Sequence, residues 1–247
     1  MKLIVNGALG NTGRVLCEYI GNGNAHEAVA LVDRAYTTDV NGRCFSSLEE
    51  FAGDADCIID FSHRSQTESL CSYAVRRRLP LVIATTGQTD ADLGIIRAAS
   101  RFIPVMLAAN LSGGIALLEK LAVLAAVKLQ SSDIEITEIH RRGKTDVPSG
   151  TAKRLARSIA AVLPESEICI GRQNGDRRGE HEITVHSLRL GDCAGTHSVY
   201  FACDGQTVVL THEATGRMPY AEGAVKAALF LLEQSAGLYS EKDLYGE

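Results

Sequence analysis

The chain has 247 residues, with 25 Lys plus Arg against 30 Asp plus Glu, so its formal net charge is −5 with histidine neutral. This balance excludes a strongly basic surface, and we expect no nucleic-acid partner. A hydrophobic fraction of 45 % with 22 % charged residues is ordinary for a globular protein. Aromatic residues are scarce, with 7 Tyr, 6 Phe and no Trp, so aliphatic side chains must fill the core, as suits parallel strands between helices.

The cysteines and the hydrophobic segments indicate a reducing, aqueous compartment. The 7 cysteines include no C-x-x-C pair and no metal-site spacing, so free thiols in the cytoplasm explain them best. The first apolar residues, "LIV", are interrupted at once by Asn6 and Gly7, so we expect no signal peptide. The most apolar later stretch, "IALLEKLAVLAAV", contains two charges and is too short to span a bilayer. We therefore expect a cytoplasmic protein without a membrane contact or a bound metal.

The first part of the chain alternates short apolar runs with amphipathic stretches, which is typical of βαβ units. The apolar runs predict strands at "KLIVN", "AVALVD", "ADCIIDF", "LPLVIAT" and "PVMLAA". Helices are predicted between several of them, at "SQTESLCSYAVRRR" and "TDADLGIIRAAS". The fold class is therefore α/β, with a Rossmann-like, doubly wound parallel sheet.

The pattern changes after Ser112. A long helix, "GGIALLEKLAVLAAVKL", is followed from Asp133 to about Glu213 by segments of period two, "DIEITEIH", "HEITVHSLRL", "THSVYFAC" and "QTVVLTHEA". One helix, "SGTAKRLARSIAAVL", interrupts them before Pro164. This pattern predicts a second, α+β domain with a mostly antiparallel sheet.

The last predicted helix, "PYAEGAVKAALFLLEQ", has an apolar face that can dock back on the first half. We therefore assign residues 1–111 and 218–247 to one domain and residues 112–217 to the other.

Three glycines stand at the first strand-to-helix turn, in "NGALGNTGRVL". Gly7, Gly10 and Gly13 permit a tight turn where backbone N–H groups and a helix N-terminus can receive a pyrophosphate. Asp33 ends the second strand 20 residues after Gly13, where a carboxylate can bind the adenosine ribose hydroxyls. Arg34 follows it and can hold a 2′-phosphate that Asp33 would otherwise repel. We therefore expect NADH to bind at least as well as NADPH, with dual use open. The alternative is an ordinary turn with Asp33 as a surface acid.

The segment "EITEIHRRGKTDVPSGTAKRLA" combines a strand, a turn and a helix start. Strand alternation places Ile134, Ile136, Glu138 and His140 on one face, with His140 near the carboxyl end. A lone histidine in a strand is more often structural or solvent-facing than catalytic.

Within a dozen residues of His140 come Lys144 and the helix start at Ser149, Gly150 and Thr151. An acid/base imidazole, a cation and a helix N-terminus with hydroxyls make a good receptor for a substrate with carboxylates. The alternative for Lys144 and its neighbour Arg142 is a solvated turn.

At this point the residues resemble a family, that of 4-hydroxy-tetrahydrodipicolinate reductase, also called dihydrodipicolinate reductase. Its hallmark E-x-H-H-x-x-K-x-D-A-P-S-G-T-A corresponds to "EIHRRGKTDVPSGTA" at residues 138–152. The segments "NGALGNTGR", "IIDFS", "ATTG", "AANLSGG", "HSLRLGDCAGTHSVYF" and "THEATGRMPYAEGA" also resemble family segments, in the same order over nearly the whole chain.

The resemblance implies hydride transfer from NADH or NADPH to a cyclic imine dicarboxylate in the diaminopimelate route to lysine. It implies that His140 is the general acid and that Lys144 is a second proton donor that also holds the substrate. Beside a dianion either cation is stabilised in its protonated form. The implied substrate-binding residues are Arg141, Lys144, Ser149, Gly150 and Thr151. The implied cofactor-binding residues are Gly7, Ala8, Leu9, Gly10, Asn11, Thr12, Asp33, Arg34, Phe61, Ala84, Thr85, Thr86, Ala108, Ala109, Asn110, Leu111 and Arg217.

Four positions depart from the family pattern. Arg141 replaces a second histidine that binds substrate, and an arginine can bind the same carboxylate bidentately. Val147 replaces alanine, Ala84 replaces the first glycine of G-T-T-G, and Thr12 replaces the methionine beside the nicotinamide. None of these changes removes the proposed acid.

The later strands carry further polar residues. We expect most of the histidines there to be structural or exposed, since their spacing supports no metal site: His181, His186, His197 and His212. Ser187 and Arg189 share a strand face and can support the sheet interface or the site. The apolar alternation exceeds what one helix can cover, and the resemblance implies a homotetramer joined through this sheet.

Two rival functions remain at this point. One is a related two-domain dehydrogenase acting on an amino or imino acid, and the other is a catalytically silent dinucleotide sensor.

Overall fold

The computed structural model describes residues 1–23, 25–37, 42–173, 175, 177–203 and 205–246. The chain divides into two compact units, unit 1 (Met1–Ser112 with Arg217–Glu247) and unit 2 (Gly113–Gly216). None of the helices in the described part of the chain has the length and hydrophobicity needed to cross a bilayer.

Unit 1 contains a parallel sheet in the order β12-β6-β5-β4-β1-β2-β3, as the first-half pattern predicts. Two short strands escape the sequence prediction, β3 and β12, because two or three residues carry no measurable period. The strands are β1 (Lys2–Asn6), β2 (Glu27–Val32), β3 (Cys44–Phe45), β4 (Cys57–Asp60), β5 (Leu81–Ile83), β6 (Pro104–Leu107) and β12 (Gly237–Tyr239).

Helices cover both faces of this sheet. They are α1 (Asn11–Asn22), α2 (Thr67–Arg77), α3 (Asp90–Ala99), α6 (Met218–Leu232) and α7 (Glu241–Tyr245), with short 3-10 helices at Leu48–Glu50 and Arg64–Gln66. Leu3 and Val5 of β1 face a core with α1 and α6, whereas Ile4 faces a core with α2 and α3. Because both faces are buried, the central strands are apolar except at their ends, where Lys2, Asn6 and Asp60 lie. The docking of α6 on unit 1 agrees with its apolar face.

Unit 2 contains a sheet in the order β11-β10-β7-β9-β8. Two pairings, β10 with β11 and β10 with β7, are antiparallel, as predicted, whereas β9 pairs in parallel with β7 and β8. The elements are α4 (Gly113–Lys128), β7 (Asp133–His140), α5 (Gly150–Ala160), β8 (Glu167–Ile170), β9 (Glu182–Arg189), β10 (Gly195–Cys203) and β11 (Gln206–Ala214).

The two faces of the unit 2 sheet differ. One face packs with α4 and α5 around Ile136, Val199 and Phe201. The residues that alternate with the core residues along each strand point the other way. On that side, Leu188 of β9 and Val209 of β11 are 44 % and 47 % exposed. The sequence thus builds one helix-covered face, which carries the polar residues described below.

Candidate active site

The glycine turn of unit 1 packs too tightly for other residues. Gly7 has a φ of +81°, and its N–H donates to the carbonyl of Val32 at 2.8 Å. A Cβ on Gly13 would lie 2.0 Å from the carbonyl oxygen of Gly7. This close approach is what a strand-turn-helix unit for a dinucleotide requires of its glycines.

The residues of the loop itself lie where the sequence places them. Ala8 is buried, Leu9 is half-buried, Gly10 is the N-cap of α1, and Asn11 is the exposed first residue of that helix. Because Gly10 brings no capping side chain, the first-turn N–H groups of α1 are suited to an anion.

Asp33 lies against this loop. Its two carboxylate oxygens accept hydrogen bonds from the backbone N–H groups of Leu9 and Ala35, each at 3.0 Å. Arg34 is exposed, and its guanidinium donates to the hydroxyl of Ser65 at 3.3 Å. The structure therefore brings the predicted ribose-binding acid next to the glycine turn.

A cavity of about 160 Å³ gathers a further group of predicted cofactor residues. Arg217 also approaches it, because its guanidinium donates to the hydroxyl of Thr12 at 3.3 Å. Sequence reasoning missed Tyr220, although its place one helical turn after Arg217 is a signal that could have found it. The cavity is lined by Thr12, Phe61, Ala84, Ala108, Ala109, Asn110, Leu111 and Tyr220.

A buried carboxyl lies beneath the strand ends of unit 1. Asp60, the last residue of β4, is 2 % exposed and accepts hydrogen bonds from Asn6, Ser62 and Thr85. Burial raises the pKa of Asp60, and the hydrogen bonds oppose this effect. Asp60 thus fixes the turn that carries Thr85, whereas Thr86 in the same turn is exposed. Sequence reasoning did not single out Asp60.

In unit 2 the predicted face of β7 is confirmed. Ile134 and Ile136 are in the core, Glu138 is fully buried, and His140 is the last residue of the strand. The Nδ1 atom of His140 hydrogen-bonds to Oε2 of Glu138. The imidazole is therefore held by a carboxylate on its own strand.

The other oxygen of Glu138 has two partners. Oε1 accepts from the guanidinium of Arg189 at 3.0 Å and from the backbone N–H of Ser149 at 3.3 Å. Burial acts to raise the pKa of Glu138, but the hydrogen bonds that its carboxylate accepts outweigh burial and hold the pKa below its usual value. Glu138 is therefore ionised at neutral pH.

The loop after His140 carries the predicted substrate cations. Lys144 is half-buried, and its ammonium lies 2.9 Å from the carboxylate of Asp146. Arg141 and Arg142 are exposed on the turn before it. Arg189 holds this loop, because it donates to the backbone carbonyls of Lys144 at 3.1 Å and Asp146 at 2.6 Å.

The N-terminus of α5 adjoins this cluster. Ser149 is the N-cap, and its hydroxyl accepts from the backbone N–H of Ala152 at 3.2 Å. Gly150 and Thr151 form the first turn, with Gly150 exposed. The structure thus brings His140, the Lys144 loop and this helix start together around Glu138.

His197 is a buried neighbour that sequence reasoning left among the structural histidines. It is 3 % exposed, its Nε2 lies 3.2 Å from the hydroxyl of Ser149, and its ring meets that of His140 edge to face at 5.2 Å. Burial, and then the charge of His140, lowers the pKa of His197 to about 3. His197 reaches His140 and Ser149 because it pairs with Glu138 across β10 and β7. The register between these two strands cannot be predicted from local sequence patterns.

His140 itself is neutral near pH 7. Burial lowers its pKa, and the charges of Lys144 and Arg189 lower it further, while Glu138 opposes them. A neutral ring whose Nδ1 faces a carboxylate carries its proton on Nδ1. Nε2 is then free to accept a proton on the side of Gly195, where an added Cβ would lie 3.1 Å away.

Other parts of unit 2 contain none of the predicted site residues. Two cavities of about 590 and 240 Å³ lie along β8 and the segments beside it. Within the described ranges, no group of three or more His, Cys, Asp or Glu side chains is placed to hold a metal ion.

Two family models match the two parts of the chain, and known proteins match it over nearly its full length. The family model "Dihydrodipicolinate reductase, N-terminus" matches residues 1–111, and "Dihydrodipicolinate reductase, C-terminus" matches residues 114–245. The 4-hydroxy-tetrahydrodipicolinate reductase of Caldanaerobacter subterraneus subsp. tengcongensis is 39 % identical over 99 % of this chain and 98 % of its own. That of Campylobacter jejuni subsp. jejuni is 38 % identical over 100 % of this chain and 99 % of its own.

Solved structures share the fold. The dipicolinate-bound dihydrodipicolinate reductase from Paenisporosarcina sp. TG-14 gives a TM-score of 0.79 at 24 % identity, over 98 % of both chains. The DAP dehydrogenase of C. glutamicum, in complex with DAP, gives a TM-score of 0.58 at 12 % identity, over 100 % of this chain and 96 % of its own. Both support the Rossmann-like sheet with a second sheet unit.

Proposed function

The chain belongs to the dihydrodipicolinate reductase family, and we propose that it is an NAD(P)H-dependent 4-hydroxy-tetrahydrodipicolinate reductase. In this reaction 4-hydroxy-tetrahydrodipicolinate, NAD(P)H and a proton yield tetrahydrodipicolinate, NAD(P)⁺ and water. The reaction belongs to the diaminopimelate route to lysine. The observation that carries the proposal is the cluster of His140, the Lys144 loop and the N-terminus of α5 around Glu138.

Loss of water from the substrate leaves a conjugated C=C–C=N system. Hydride adds at one end of it, so a proton must reach the other end. His140 is the general acid for this step. Its pKa is low in the protein alone, but a substrate dianion favours the imidazolium, with Glu138 holding Nδ1 and Nε2 presenting the proton. Lys144 is the second candidate donor and attracts a carboxylate as a point charge.

The substrate carboxylates bind between cations and a helix start. Ser149, Gly150 and Thr151 supply hydroxyls and the N–H groups of the first turn of α5, which favour an anion. Arg141, in the place of the family's second histidine, is exposed and able to form a bidentate pair with a carboxylate.

The dinucleotide fits unit 1. When bound, NAD(P)H supplies the hydride. The close packing of Gly7 and Gly13 and the open start of α1 suit the pyrophosphate, Asp33 suits the ribose, and the cavity that contains Thr12 suits the nicotinamide. Asp33 can bind the ribose hydroxyls of NADH, and Arg34 can hold the 2′-phosphate of NADPH. NADH therefore binds at least as well as NADPH, and both are substrates.

The exposed face of the unit 2 sheet supports assembly. Exposed apolar side chains such as Leu188 and Val209 are typical of a surface that another subunit covers. We propose a homotetramer joined through this face, and light scattering after size exclusion that shows a monomer at working concentration would refute it. The seven cysteines are free thiols, which fits a cytoplasmic protein.

The activity is tested with the condensation product of pyruvate and aspartate semialdehyde, by following oxidation of NADH and NADPH. Wild type should oxidise both cofactors, and His140→Gln and Lys144→Ala should each lose roughly 10²-fold or more in kcat, the scale of a positioned acid. His181→Gln and Lys128→Ala, which change exposed residues of unit 2, are matched controls. An inactive wild type would leave the chain as a silent dinucleotide binder, and full activity in both site variants would refute the proposed acid.

A further inference from the structure

We propose that Glu138 and Arg189 act as a positioning pair that holds the three substrate-facing groups of unit 2 in one arrangement and sets the proton affinity of His140. The inference rests on the proposed reductase function, which gives His140, Lys144 and the start of α5 their roles. Neither Glu138 nor Arg189 is itself assigned a contact with substrate.

The Glu138 carboxylate is shared among three groups. One oxygen holds the imidazole of His140, and the other holds the guanidinium of Arg189 and the backbone N–H of Ser149. Glu138 is fully buried, and the Arg189 side chain is only 16 % exposed. A buried ion pair contributes little net stability compared with an apolar pair, so its use is better sought in fixing one arrangement.

The guanidinium of Arg189 donates to three acceptors on two segments. Its Nη1 binds Glu138, while its Nε and Nη2 bind the carbonyl oxygens of Lys144 and Asp146. A planar guanidinium can hold these three acceptors at once, and a lysine ammonium cannot match that geometry. Arg189 thereby ties the lysine loop to the same carboxylate that ties the imidazole.

Glu138 and Arg189 also act on His140 through their charges. The charged or titratable groups around His140 are Glu138 on its own strand, Lys144 on the following loop, Arg189 on β9 and His197 on β10. Glu138 favours the imidazolium, whereas Arg189 opposes it both directly and by offsetting the Glu138 charge. The two members of the pair therefore act on His140 in opposite directions.

This opposition gives a test that a merely structural role does not share. The pH dependence of kcat/KM for NADH oxidation is measured with the condensation product as substrate. Glu138→Gln should move the basic limb of the profile, where protonated His140 is lost, to lower pH by about one unit. Arg189→Gln should move that limb to higher pH. Both variants should lose roughly tenfold to a hundredfold in kcat/KM, the scale of a lost charge-assisted hydrogen bond.

The conservative variant separates the two roles. Arg189→Lys keeps the positive charge but loses the three simultaneous hydrogen bonds of the guanidinium. The basic limb of its kcat/KM profile should therefore stay near that of wild type, while KM rises about tenfold. The controls are Glu49→Gln and Arg76→Gln, which break an exposed ion pair of unit 1 and should leave both the profile and KM unchanged.

The outcomes distinguish the two proposals. An inactive wild type refutes the reductase function itself. An active wild type whose Glu138 and Arg189 variants shift the limb in the same direction, or not at all, refutes the positioning pair. If Glu138→Gln or Arg189→Gln does not fold, Glu138→Asp and Arg189→Lys decide: unchanged KM in both would also refute the pair.

Discussion

Two buried carboxyls, Asp60 in unit 1 and Glu138 in unit 2, organise polar clusters at the carboxyl ends of strands, and they differ in their partners. Asp60 accepts from an amide and two hydroxyls, all of them neutral. Glu138 holds an imidazole and a guanidinium. Burial raises the pKa of Asp60, whereas the partners of Glu138 overcome burial and lower its pKa. The pKa of a buried carboxyl group therefore depends on its partners as well as on burial.

The difference suits the two proposed ligands. In unit 1 the burial that raises the pKa of Asp60 disfavours its charged form beneath the cofactor turn, where a pyrophosphate carries negative charge. A dicarboxylate substrate needs cations beside it, and an ionised Glu138 keeps Arg189 in place and favours the imidazolium of His140. The direction of each pKa shift therefore agrees with the charge of the ligand proposed for its unit.

The largest expected contrast between the units appears on acidification. The pKa of His197 is about 3 in the folded chain, against 6.5 for an exposed histidine. As the pH falls, His197 is therefore protonated in unfolded chains at a higher pH than in folded chains. Its contribution is complete above pH 6.5 and is lost as the pH falls towards 3, by up to about 5 kcal/mol. Glu138, whose pKa is lowered, also loses stability in acid, whereas Asp60, whose pKa is raised, does not.

Unit 2 should therefore open before unit 1 as the pH falls, and amide hydrogen exchange resolved by unit measures the order. The variant His197→Asn should narrow the difference. Earlier opening of unit 1 would contradict the directions assigned to the pKa shifts of His197, Glu138 and Asp60.

A smaller effect is expected from neutralising Glu138. Glu138→Gln removes one member of a buried ion pair and leaves Arg189 without its counter-charge, which should cost about 3 kcal/mol of unfolding free energy. Urea unfolding of unit 2, followed by a probe within that unit, provides the measurement. A loss below about 1 kcal/mol would mean that Glu138 is not held as an ion.

The smallest effect is expected from the same chemical change in unit 1. Asp60→Asn resembles the protonated carboxyl that burial favours, and its amide can donate to Thr85 while its oxygen accepts from Asn6 and Ser62. The expected cost is under about 1 kcal/mol, with NADH affinity close to that of wild type. If Asp60→Asn proves as costly as Glu138→Gln, the contrast between the two carboxyls fails.

Local patterns account for what the sequence predicts of the fold. Alternation of apolar and polar residues predicts the shared face of β7 that includes Glu138 and His140. A continuous apolar run predicts a strand that is buried on both faces, such as β1. The strands β3 and β12 are too short to have a period. What cannot be predicted depends on register between distant segments.

The site illustrates this limit. Arg189 is recognised in the sequence as a residue on the right face, but its link to the Lys144 loop depends on the pairing of β9 with β7. His197 reaches Ser149 only through the pairing of β10 with β7. Asp60 collects its donors from β1 and from the segments that follow β4 and β5. These contacts join segments that are distant in the sequence, so the pattern of any single segment does not predict them.

The pKa of His140, followed by NMR of its ring protons, tests the central claim most directly. The claim is that burial and the charges of Lys144 and Arg189 keep the imidazole neutral and that a dicarboxylate converts it into an acid. The pKa should lie below 6.5 in the free protein and rise by about one unit or more when dipicolinate saturates the site, with His140→Gln identifying the signal. A pKa above 6.5 in the free protein, or one that dipicolinate leaves unchanged, would contradict the account.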